Sequence, residues 1–177
     1  MPTETEVTPL TRRRLLQAAL AAAPAVVPAA ALGRAGQPPP SDRINLGIIG
    51  VNGMGRSNLA NCARHADVVV TAICDVSRDR REQALALHKN TAQGHRDYRE
   101  LLARRDVDGV IIAAPPHWRA LMAIDAVQAG KDIYLEKPAS HVFREGRLLV
   151  EAARKYNRVV QHGSQMRSSD VTAEAGR

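Results

Sequence analysis

The chain has 177 residues, a net charge of +7, 45% hydrophobic residues and only 3% aromatic ones. That length suits one domain with an appendage, and that apolar content excludes wholesale disorder. The arginines are interleaved with acids, as in RDRREQ and DYRELLARRD, without an aromatic stacking platform, so the charge reads as a solvated basic surface and not as a nucleic-acid footprint.

Residues 11–17 read TRRRLLQ and are followed by AALAAAPAVVPAAALG. A basic cluster, an apolar stretch and small residues describe an export signal over residues 1–31, with cleavage near Ala29-Ala30-Ala31. The stretch is too short and too Pro-interrupted for a stable membrane span. Arg12-Arg13 with Leu15-Leu16 resembles the twin-arginine pattern, with Leu15 where that pattern prefers Phe and Gln17 where it often has Lys. The expected location is therefore the periplasm, reached in a folded state. Removing residues 1–31 takes away three arginines and two glutamates, so the remaining chain stays basic. Residues 32–43 contain three consecutive prolines and read as an extended linker.

From residue 44 strands and helices alternate. INLGIIG is a first strand, and a glycine-opened helix covers residues 53–65. VVVTAIC (68–74) is a β-branched strand whose Cys74 reads as a buried small hydrophobe. With Cys62 it forms neither a C-x-x-C pair nor a metal set. A helix follows over 78–89, then a loop with a possible brief strand, and a short helix over 98–105. GVIIAAP is a strand ended by Pro115-Pro116, and residues 117–129 form a helix stopped by Gly130. DIYLE is a strand, Ser140 reads as the N-cap of a helix running to 156, and Asn157 closes it. RVVQHG is the last strand. Alternation of this kind specifies an α/β fold: a doubly wound, mostly parallel, Rossmann-type sheet over residues 44–163.

The first turn reads GIIGVNGMGRS. In a strand–loop–helix setting Gly50, Asn52 and Gly55 take the three positions of a G-x-G-x-x-G phosphate loop. Gly50 permits the tight turn and Gly55 close helix packing, while the middle position must bring backbone near phosphate. Asn is the non-glycine residue that best tolerates left-handed φ, and Gly53 beside it restores room. The pyrophosphate would lie over the helix N-terminus, which makes Gly50, Asn52, Gly53, Met54 and Gly55 the candidate loop residues. Asp75 ends the second strand twenty residues after Gly55, where a carboxylate accepts a ribose diol and repels a 2′-phosphate. The expected cofactor is thus NAD or NADP, with NAD favoured, although Arg78, Arg80 and Arg81 blur the preference. Asp75 also suits the start of the next helix, and an S-adenosylmethionine-dependent methyltransferase combines a similar loop and acid.

Residues 108–140, DGVIIAAPPHWRALMAIDAVQAGKDIYLEKPAS, separate these readings. The segment resembles the glucose–fructose oxidoreductase/inositol dehydrogenase (Gfo/Idh/MocA) family in its small-residue–Pro turn, His-Trp helix start, A-G-K turn and Glu136-Lys137-Pro138 tripeptide. Gly163-Ser164-Gln165-Met166-Arg167 resembles the family's next turn, so the likeness covers residues 44 to about 168. The resemblance implies that Ala114 and Pro115 line the nicotinamide pocket. Lys137 would be the catalytic ammonium that stabilises an alkoxide or orients a hydroxyl. It further implies that Glu136 holds Lys137 or contacts the ribose, and that Pro138 follows a cis bond. One departure is Arg119, where relatives have a second histidine; it cannot accept a proton at neutral pH and would serve as an anion contact. His117 reads as a cap or packing residue.

The family's second, α+β domain carries the substrate pocket, and residues 164–177 show neither strand alternation nor an apolar helical face. The expectation is a chain without that domain, and with it without an oligomer-forming sheet. The functional expectation is hydride transfer between the nicotinamide cofactor and a sugar or cyclitol-like substrate in the complete enzyme. The alternative is a cofactor-binding remnant that turns nothing over.

Overall fold

A computed structural model describes residues 38–165 together with Glu174. The expected export signal, most of the linker and nearly all of the chain after Gln165 lie outside the described residues. Six strands, β1 (Ile44–Ile49), β2 (Val68–Cys74), β3 (Gln93–His95), β4 (Gly109–Ile112), β5 (Asp132–Leu135) and β6 (Val160–His162), form one sheet in the order β3-β2-β1-β4-β5-β6. Every neighbouring pair is parallel. Among the described residues the α-helices are α1 (Met54–Cys62), α2 (Arg78–Leu87), α3 (Tyr98–Leu102), α4 (Pro116–Gln128) and α5 (Phe143–Tyr156).

The double winding follows from the strands' composition. A strand sends successive side chains to opposite faces, so a run that is apolar at every position has both faces to bury. Ile48, Ile73 and Ile111 face a core that includes Leu59 of α1 and Ala84 of α2. Their neighbours Ile49, Cys74 and Ile112 face the opposite core, with Leu101 of α3, Ala123 and Val127 of α4 and Leu149 of α5. Among the described residues no helix is long and apolar enough to cross a membrane.

Several expected boundaries move. The glycine-opened helix stops at Cys62, three residues early, and α2 stops at Leu87 with His88 as its cap. Helix α3 ends at Leu102, while α4 starts one residue early, at Pro116, whose fixed φ suits a first helical position. Ser140 is not an N-cap: α5 begins at Phe143 after Val142. The reason lies inside the helix, where the Glu145 carboxylate accepts the amides of His141 at 2.8 Å and Val142 at 3.2 Å, so no upstream hydroxyl is needed. The expected terminators hold, with Gly130 at φ 77° and Asn157 at φ 50°.

Candidate functional site

The strand order reverses direction between β1 and β4, which opens a crevice at the carboxyl edge of the sheet. A cavity of about 780 Å³ lies there, within the usual range of about 300–1,000 Å³ for small-molecule sites. Gly50, Asn52, Gly53, Asp75, Ala114 and Pro115, each picked out in the sequence, line it together. Met54, Gly55, Glu136 and Lys137 do not line it.

The glycine loop achieves its shape differently from the sequence expectation. Gly50 has φ 87°, and a Cβ there would come within 2.9 Å of the Ala113 backbone. Asn52 is not in the left-handed region; Gly53 carries that conformation instead, at φ 50° and ψ −119°. That combination is open to glycine and strained for any side chain. The demand on the middle of the fingerprint has moved one residue along, so Asn52 is an exposed residue under no strain. A Cβ on Gly55 would lie 2.0 Å from the Gly50 carbonyl oxygen, so only glycine lets α1 start on top of the turn. Met54 is exposed at the first position of α1. Among the described residues the amides of Asn52, Gly53 and Met54 have no acceptor, and they cluster at the N-terminus of α1 beside the crevice that Asn52 and Gly53 line, where a pyrophosphate would satisfy them.

Asp75 is buried, with 8% of its surface exposed. Its Oδ2 accepts the Val51 amide at 3.0 Å and its Oδ1 the Ser77 amide at 2.9 Å, while its carbonyl accepts Arg81 Nη1 at 2.6 Å. The acid therefore both starts α2 and braces the glycine loop. A carboxylate has about four lone-pair sites, so two remain for two hydroxyls of a diol. Arg80 lines the cavity beside it and Arg78 does not.

On the other flank, Ala114 and Pro115 form the turn into α4, and Arg119 crosses it. Its Nε donates to the Ala114 carbonyl at 2.6 Å and its Nη1 to the Pro138 carbonyl at 3.0 Å. The bond between Lys137 and Pro138 is cis. Lys137 is exposed, and its ammonium has no hydrogen-bond or ion-pair partner among the described residues. Glu136, at 1% exposure, faces inward and is closed to the crevice. Its Oε2 accepts the Lys137 main-chain amide at 3.1 Å and does not touch the ammonium. Its Oε1 accepts Asn58 Nδ2 at 2.6 Å and Gln165 Nε2 at 2.5 Å. Burial pushes this carboxyl up, but the bonds from Asn58, Gln165 and the Lys137 amide, with Arg119 nearby, outweigh it and hold the group below its ordinary 4.5.

His117 is exposed, outside the cavity, with its ring centroid 6.3 Å from that of Trp118. The sequence reading missed the wall formed by Arg96, Asp97 and Tyr98, which β3 brings to the crevice. Tyr98 donates its hydroxyl to Asp125 Oδ2 at 2.7 Å, and burial, then Asp125, push its pKa up to about 12. Only the pairing of β3 with β2 makes this wall, and no local motif announces it. Asn58 was missed for a similar reason, because it meets Glu136 from 78 positions away.

Comparison with known proteins agrees with this geometry. A family model described as an oxidoreductase family, NAD-binding Rossmann fold, of the Gfo/Idh/MocA type, matches residues 44–164. A glycosyl hydrolase family 109 protein of Saccharopolyspora erythraea is 35% identical over 125 residues, covering 66% of this chain and 27% of that protein. An inositol 2-dehydrogenase of Salmonella typhimurium is 32% identical over 122 residues, covering 68% of this chain and 36% of its own length. The chain thus spans about a third of the length of these curated relatives. A crystal structure of an NAD binding oxidoreductase from Klebsiella pneumoniae superposes with a TM-score of 0.67 at 26% identity, covering 75% of this chain and 37% of that one.

Two predictions follow from the loop and from Glu136. Asn52→Gly should leave stability and nucleotide affinity within about twofold, whereas Gly53→Ala should cost about 1–2 kcal/mol through its backbone conformation alone. Urea unfolding of both variants checks the contrast, and equal effects would contradict the assignment of strain to Gly53. Because the folded Glu136 carboxyl sits below its ordinary 4.5, its stabilising contribution is whole above that value and is lost as pH falls through the folded value. Glu136→Gln should therefore be less stable at pH 7 by about 1–3 kcal/mol, with the gap to the parent closing in acid. Denaturation midpoints measured from pH 7 to pH 3 would read this.

Proposed function

The chain belongs to the Gfo/Idh/MocA oxidoreductase family through its NAD-binding Rossmann domain, and on that premise we propose that the complete enzyme oxidises or reduces a sugar or cyclitol. The observation that carries the reading is the meeting of the glycine loop, Asp75 and the Ala114-Pro115 turn on one cavity at the switch point of the sheet. The names of the relatives, an inositol 2-dehydrogenase and a glycosyl hydrolase family 109 protein, support the substrate class.

When bound, NAD supplies the hydride acceptor at its nicotinamide ring. The amides of Asn52, Gly53 and Met54 would hold the pyrophosphate, and the two remaining lone-pair sites of Asp75 the adenosine ribose diol. A second anion beside Asp75 would be repelled, which favours NAD over NADP. Ala114 and Pro115 would border the nicotinamide. Lys137 is the group for the chemistry: its ammonium orients the substrate hydroxyl and stabilises the negative charge that develops on that oxygen. Glu136 fixes the backbone of Lys137 and takes no part in proton transfer.

Calorimetry on the full chain should show NAD uptake, weaker NADP uptake, and at least about a tenfold loss with Asp75→Ala, which also strips the Val51 and Ser77 amides of their acceptor. No heat from the parent chain would overturn the reading. We further propose that residues 1–31 act as a twin-arginine-type export signal, supported by Arg12-Arg13, the apolar stretch and Ala29-Ala30-Ala31. Expressed in a bacterium with that route intact, the chain should reach the periplasmic fraction shortened, and replacing both arginines by lysine should retain it in the cytoplasm. Unshortened cytoplasmic protein in both cases would refute the signal.

A further inference from the structure

Arg119 joins two turns at the edge of the crevice, and the structure gives it a defined task. Its two hydrogen bonds end on carbonyls of different turns, Ala114 after β4 and Pro138 after β5. No other side chain among the described residues bonds to both turns. A guanidinium has five N–H donors in one rigid plane, so three remain, with no acceptor among the described residues. The side chain is partly buried and borders the cavity. Burial weakens its hold on the proton, with Glu136 opposing, and the guanidinium remains a cation at every working pH.

The dinucleotide reading above, on which this inference rests, puts the adenosine half on the Asp75 flank and the nicotinamide half on the β4–β5 flank. Oxidised nicotinamide is a cation and its reduced form is neutral. A fixed cation on that flank therefore acts against one redox state and leaves the other alone. Lys137 adds charge of the same sign. Glu136 offsets part of it, but its carboxylate is turned into the protein and its oxygens already accept Asn58, Gln165 and the Lys137 amide. We propose that Arg119 is a positioning residue that clamps the Lys137-Pro138 turn to the end of β4, and that its charge makes the domain hold the reduced nucleotide more tightly than the oxidised one.

The test measures dissociation constants of NADH and NAD for the full chain and for R119Q and R119K, by nucleotide fluorescence and by competition. The parent should favour NADH several-fold. R119Q removes the charge and should lower that preference by roughly threefold or more. R119K keeps the charge but cannot span both carbonyls with a planar fork, so it should weaken both nucleotides and keep the preference within about twofold. An unchanged preference in R119Q overturns the charge effect, and R119K affinities equal to the parent's overturn the clamp. If R119Q does not fold, the parent still decides, because equal affinities for the two redox states refute the proposal. A parent that binds neither nucleotide removes the dinucleotide reading itself, which is a distinguishable failure.

Discussion

The first turn of α1 rests directly on the carbonyl of Gly50, and the rest of the site is arranged around that contact. With a Cβ at position 55 held 2.0 Å from the Gly50 oxygen, no other residue allows it. Because α1 starts so close to β1, the amides of residues 52–54 sit at the edge of the crevice that Asn52 and Gly53 line. The same placement sets Val51 against Asp75 and lets Asn58, one turn further on, reach Glu136 on the far flank. One close approach of backbone to backbone thus fixes three features of the site.

Asp75 shows why the acid at the end of β2 is more than a free side chain waiting for a ribose. Its amide donates to the His95 carbonyl at 3.3 Å, its carbonyl accepts Arg81, and its carboxylate accepts Val51 and Ser77. Four segments meet on one residue, so the carboxylate is oriented before any ligand arrives. A ligand that finds it pre-set loses less entropy on binding than one that must order it. The same bonds make Asp75 a structural residue, and a binding defect in its variants must be read beside their stability.

The sheet was readable from local composition because strands buried on both faces are apolar nearly throughout, as GVII is and as VVVTAIC is apart from Thr71. Helix ends were readable where one residue settles them, as at Gly130 and Asn157. The start of α5 was not, because Glu145 satisfies the exposed amides from inside the helix and makes Ser140 irrelevant. The site divides in the same way. Gly50, Gly55 and Asp75 act through their own turns and could be named from spacing. The location of positive φ at Gly53 and not Asn52 belongs to the way the turn closes into α1, which spacing alone does not give. The bonds of Glu136 to Asn58 and Gln165, and of Arg119 to Pro138, depend on which strands become neighbours.

Arg119 and Glu136 are also informative in what they do not do, since they form no direct ion pair. A partly buried guanidinium and a fully buried carboxylate on adjoining turns would gain Coulomb energy by contact. Each is instead hydrogen-bonded to neutral groups, the cation to two carbonyls and the anion to two side-chain amides and one main-chain amide. Solvation by such dipoles compensates much of the cost of burial. It leaves the charges apart: the anion lies in the protein, and the cation borders the cavity. Direct pairing would have spent the guanidinium's remaining donors and neutralised that wall. Holding the two apart keeps the cation on the wall of the cavity and the anion inside the protein.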